Sequence, residues 1–132
     1  MTQPAMARIP ETANKTKNIV LWVIQIALAG MFIMTGWSKL TGAPAMVGLF
    51  DAVGLGQWFR YVTGAIEVGS GILLLIRGMA GIAAALLGCT MIGAIVTHLT
   101  ILHNSPILPV GLLAGAAIVL WGRWGQIKSR FA

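Results

Sequence analysis

Four apolar runs, at residues 19–37, 59–76, 79–102 and 107–122, divide the chain, and polar positions gather between them and at both ends. Runs of 16 to 24 residues are too long for strands and predict helices. A hydrocarbon core of ~30 Å needs about 20 apolar residues per helical crossing, so each run reads as a membrane span. Only residues 77–78 separate the second run from the third, and residues 103–106 the third from the fourth. Connections that short force antiparallel neighbours. The pattern therefore predicts an all-α membrane protein, a four-transmembrane-helix up-down bundle.

The connection between the first two runs is patterned as well. Within residues 41–58, Met46, Leu49, Phe50 and Val53 repeat at i, i+3, i+4 and i+7, one face of a helix. Pro44 suits a first turn and Gly54 a C-terminal stop. The segment is too short to cross a bilayer. It predicts a short interfacial helix between helices 1 and 2, anchored by Trp37 and Trp58, which caps the bundle or serves as a lid over an opening beneath it.

Composition agrees with the pattern. The chain is 58% hydrophobic and 9% charged, against about 25% charged for soluble domains, so it cannot cover a globule with solvated side chains. The net charge of +6 is placed for a membrane rather than for nucleic acid. Arg8, Lys15, Lys17, Arg77, Arg123, Lys128 and Arg130 fall on one side of the predicted bundle, and Lys39 and Arg60 on the other. By the positive-inside rule both termini lie in the cytoplasm, where basic side chains meet anionic lipid. Three parts follow: a polar N-terminal tail (1–18), disordered or interfacial; the membrane domain (19–122); and a basic C-terminal tail (123–132). The single cysteine, Cys89, reads as a buried small hydrophobe and leaves no CxxC redox pair within the chain.

One side chain breaks the oily pattern. Glu67 sits near the middle of the second run, where an ionised carboxylate costs roughly 2.5–3.5 kcal/mol on insertion scales for Asp. At 100° per residue, Arg60, Thr63, Glu67 and Ser70 fall within a sector of about 80°, with Gly64 and Gly71 beside them. A stripe like this turns inward, because lipid offers it no hydrogen bonds. Val62, Ile66, Leu73 and Ile76 then face lipid or packing. Gln25, Gly36 and Lys39 share a face of the first helix; Thr90, Gly93, Thr97 and Thr100 share one of the third, with His98 to one side. The expected ion pair is Lys39 with Glu67, with Arg60 as a further cation. Such a pair fixes helix register or marks a functional site. His98 and His103 are five apart without a carboxylate or thiolate nearby, so no metal site is expected. In the fourth run, Gly111 and Gly115 allow close helix approach and suggest a homo-oligomer contact.

These elements together resemble the DoxX family of small bacterial four-helix inner-membrane proteins. The resemblance rests on GWSKLTG at residues 36–42, Phe50 and Gly54 in the connection, GAIEVGSGILLL at 64–75 and MIGAIVTHL at 91–99, and extends over about residues 19–122. It implies a quinone-linked oxidoreductase system, with Lys39 and Glu67 matching the family's polar motif and His98 the polar end of its third span. Thiosulfate chemistry, from which the family takes its name, is not expected of a chain without a cysteine pair. On this reading an apolar cavity between the first three helices holds a quinone-like ring. Lys39 or Arg60 stabilises charge on a ring oxygen, Glu67 or His98 exchanges a proton, and Thr63, Ser70 and Thr97 line the site. With no cofactor motif in the chain, electrons come from a partner subunit or a soluble donor. The alternative is a non-enzymatic accessory subunit or a carrier of small hydrophobic molecules.

Overall fold

A computed structural model of the chain describes residues 11–103 and 105–131. It is all-helical: α1 (Glu11–Thr41), α2 (Pro44–Val53), α3 (Gln57–Leu74), α4 (Ala80–Thr97), a π-helical turn (His98–Leu102), α5 (Ile107–Gly122) and α6 (Trp124–Phe131). Helix α1 begins at Glu11, so residues 11–18 of the expected tail are helical, and residues 124–131 of the other tail form α6. Residues 1–10, Arg8 among them, lie outside the described part.

Two helices are long and apolar enough to cross a membrane, at Lys15–Thr41 and Ala80–Leu102. The other two predicted spans fall short by that measure for different reasons. Helix α5 has 16 residues, about 24 Å at 1.5 Å per residue, and α3 carries Arg60 and Glu67 within its 18.

Helices α1, α3, α4 and α5 pack in a ring, each against the next and α5 back against α1. Adjacent helices run antiparallel, as the contacts between α1 and α3 show. Gln25, midway along α1, donates to the carbonyl of Leu74 at the end of α3 (2.8 Å), while Lys39, late in α1, meets Glu67 in the middle of α3. Glycines set the α1–α3 spacing. A Cβ on Gly64 would sit 2.9 Å from the Gly36 carbonyl oxygen, and one on Gly71 would sit 2.9 Å from the Ile33 side chain. No other residue lets the two backbones approach so closely.

The hydrophobic core occupies one half of the ring. Leu28, Ala29, Phe32, Leu74, Leu87 and Val119 are buried there, with Ala80, Ala83 and Ala84 giving α4 a thin face. Around that end gather Lys17 over Trp121, and Arg123 bonded to Gln25 (2.8 Å) and Asn18 (2.9 Å). Burial pulls Arg123 below the ordinary arginine range, and its Nη2 has no hydrogen-bond partner among the described residues. Gly81 and α6 close the same end, where the Gly81 N–H donates to Gln126.

Gly115 is taken up inside this packing: a Cβ there would lie 3.0 Å from Leu28 of α1. Of the two glycines expected at a homo-oligomer face, Gly111 and Gly115, the second thus meets α1 of its own chain. Half of that stripe is spent on the intramolecular α1–α5 contact, because α5 needs a small residue where the Leu28 side chain inserts. Gly111 stays open.

Candidate functional site

The other half of the ring is hollow. A cavity of about 540 Å³ lies between α1, α3, the α4 end with its π turn, and the start of α5, roofed by α2. Ligand sites commonly occupy about 300–1,000 Å³. All four residues of the α2 face, Met46, Leu49, Phe50 and Val53, line it. Helix α2 has the expected bounds: Pro44 stands in the first turn, and Gly54 ends it in the left-handed conformation (φ 82°), its N–H donating to the Phe50 carbonyl. Phe32 and Met91 belong both to the core and to the cavity lining, and so mark where the two halves meet.

Within this apolar chamber the polar group is compact. Lys39 Nζ donates to both carboxylate oxygens of Glu67, at 3.0 and 2.9 Å, and Thr35 Oγ1 donates to Oε2 at 3.0 Å. Glu67 is 3% exposed and Lys39 13%. The charge is thus paired and hydrogen-bonded, which is what a buried carboxylate requires. Thr35 is the participant that sequence reasoning missed. It lies one helical turn before Lys39, so the i, i+4 spacing carried the signal.

The other expected site residues divide into three groups. Thr63, Thr97 and His98 line the cavity with Lys39 and Glu67. The hydroxyls of Thr63 and Thr97, however, donate to the carbonyls four residues earlier, Phe59 and Gly93; this leaves only oxygen lone pairs for a ligand. Arg60 is a correction. It is buried outside the cavity lining, donates through Nε to Gln57 (2.7 Å) and through Nη1 to the Lys39 carbonyl, and lies over the Tyr61 ring. Its reach carries it to the carbonyl end of α1, where a cation is favoured, and not to Glu67. Ser70 is the second correction. One helical turn beyond Glu67 it faces a separate shallow groove between α3 and α4, with Gly69, Leu73 and Leu86.

Gln57 ties these parts together. Its amide donates to the Val47 carbonyl (3.1 Å) and Asp51 (2.7 Å) on α2, while its oxygen accepts from Arg60. The roof, the Arg60 side chain and the Lys39 backbone therefore form one hydrogen-bonded chain. The π turn shapes the opposite wall. Its wider winding ends at His103 in the left-handed conformation (φ 51°, ψ 41°), whose N–H returns to the His98 carbonyl. Turns of this kind recur at functional sites. Cys89, expected to be buried, is exposed and lines the cavity. Among the described residues no three His, Cys, Asp or Glu side chains converge on a metal position.

An all-helical protein with membrane-length helices and an ion-paired cavity belongs among the small membrane-associated proteins. The family model described as DoxX matches residues 20–100, and the chain belongs to the DoxX family. "Putative oxidoreductase CatD" of Bacillus subtilis (strain 168) is 31% identical over 84 residues, covering 64% of this chain and 63% of that protein. The match thus spans just under two thirds of that relative's length. No solved structure matches the chain significantly.

Proposed function

We propose that the protein is a component of a membrane-bound, quinone-linked oxidoreductase system, and that its cavity holds a quinone-like ring. The observation that carries this reading is the Lys39–Glu67–Thr35 group set in the wall of an otherwise apolar chamber. All four ring helices cross the bacterial inner membrane in this reading. The basic end, with Lys17, Arg77, Arg123 and Lys128, faces the cytoplasm, and α2 lies in the outer interface. The name of the relative CatD lends support on the redox side.

A quinone held there would supply two-electron, two-proton redox chemistry, with the electrons coming from a partner subunit or a soluble donor. Two of the three ammonium hydrogens of Lys39 are committed to Glu67, and the third is available to a ring oxygen. The ammonium stabilises negative charge developing on that oxygen, and the low-dielectric surroundings strengthen the effect. Thr35 holds Glu67, which in turn holds Lys39, and the Lys39–Glu67 pair exchanges one proton. His98, on the α4 side of the cavity, exchanges the other.

The test is binding of a ubiquinone analogue to purified protein in detergent, with Glu67→Gln alongside. Saturable binding to the parent, weakened at least about tenfold in a folded variant, supports the reading. Absence of binding to the parent overturns it. The second reading, a carrier or accessory subunit, is favoured by the back-bonded Thr63 and Thr97 hydroxyls, which leave few groups to fix a polar ring. It predicts that Glu67→Gln loses stability without changing ligand affinity.

A further inference from the structure

We infer that the ligand is a long-chain amphiphile, and that its hydrocarbon tail leaves the cavity sideways through the α3–α4 seam. This deepens the quinone reading above and rests on it. The cavity is not sealed on that side. Val62 and Ile66 of α3 line it and are 42% and 39% exposed, and exposed Cys89 stands opposite on α4.

Ile66 also borders the shallow groove that continues along the seam, past Gly69 and Leu73 on α3 and Leu86 on α4. Chamber and groove therefore share a wall. From Ile66 to Leu73 the groove follows α3 for about 10 Å, at 1.5 Å per residue. Its lining is apolar apart from Ser70. Gly69 keeps it open: a Cβ there would meet nothing within 4 Å.

The polar group sits at one end of this path, against α1, and the path leads away from it towards the buried half of the bundle. That arrangement fits a molecule with a hydrogen-bonding head and an alkyl or isoprenoid tail. It does not suit a small soluble substrate, which would need only the chamber beneath α2. Because lipid is as apolar as the groove, the tail gains little affinity from lying there. The groove acts instead as a steric clearance, without which the head of a tailed molecule cannot seat.

Two analogues with the same ubiquinone ring, one without a side chain and one bearing a decyl chain, separate the possibilities by equilibrium binding in detergent. Gly69→Leu fills the groove from α3 and, being mid-helix, does not weaken the helix itself. Leu86→Trp fills it from α4, should the first variant fail to fold. We expect the decyl analogue to bind about tenfold more weakly to the filled groove, the scale of an overpacked contact. The tail-less analogue changes by less than about twofold. Equal effects on both analogues, or none on either, overturn the tail path while leaving the ring site standing. If neither analogue binds the parent protein, the quinone reading fails and this inference fails with it.

Discussion

Replacing Lys39 by Met is the sharpest perturbation of the site. The substitution keeps length and apolar bulk but leaves Glu67, 3% exposed, with only the Thr35 hydroxyl, at 3.0 Å, as a side-chain donor among the described residues. Breaking a buried pair from one side costs about 3–5 kcal/mol, because the remaining charge stays desolvated. Glu67→Met removes the carboxylate instead and strands the ammonium, which at 13% exposure reaches water more readily; its cost falls at the lower end of that range. The double variant strands neither charge and should return to within about 1–2 kcal/mol of the parent, since buried pairs exchanged for apolar residues are often neutral. The cycle thus predicts a coupling of at least about 2 kcal/mol. Denaturant or thermal unfolding in a fixed detergent, followed by circular dichroism, measures all four corners. If Lys39→Met costs under about 1 kcal/mol, or the double variant costs the sum of the singles, the pair is not energetically coupled and the reasoning is wrong. Ring-ligand binding to the stable double variant then divides the roles: a site loses its ligand there, whereas a register-setting pair does not.

Four further outcomes follow. Gly64→Ala places a Cβ 2.9 Å from the Gly36 carbonyl oxygen and should destabilise the bundle by about 1–3 kcal/mol. Gly30→Ala, with open space around it, should gain a few tenths to about 1 kcal/mol from helix propensity; the same unfolding assay reads both. Gln57→Ala removes the bonds to Val47 and Asp51 and should speed hydrogen exchange of the α2 amides while leaving those of Leu28–Phe32 unchanged, as mass spectrometry of the two peptides would show. A ligand seated in the cavity should slow alkylation of Cys89, which lines it, by a membrane-permeant maleimide. An unchanged rate at saturating ligand would place the ligand elsewhere.

The parts of this architecture that were legible in the sequence are those carried by period. The face of α2 was readable because four apolar residues recur at helical spacing, and Lys39 and Glu67 because each sits on a polar stripe of an apolar helix. What escaped depends on side-chain reach and on backbone detail. Arg60 shares the stripe of Glu67, yet its long side chain swings to the α1 carbonyl end. Thr63 and Thr97 were on the right faces, but a helical threonine can satisfy its hydroxyl on its own backbone, and both do so. Ser70 lies one turn too far along α3, on the groove side of the seam. No residue pattern in HLTIL announces a π turn. Gly115 could not be assigned to an internal or an external partner without knowing where Leu28 falls.

The uneven filling of the ring has a mechanical consequence. One end is clamped by interlocked alanines, leucines and the Gln25–Arg123 bridge, while the other is braced chiefly by a single ionic strut and a short roof. Phe32 and Met91 mark the boundary between the two, and the hollow side has fewer buried apolar contacts to resist local opening. Opening by a few ångströms at the hollow end, where a guest would enter, therefore disturbs little of the packing that holds the riveted base together.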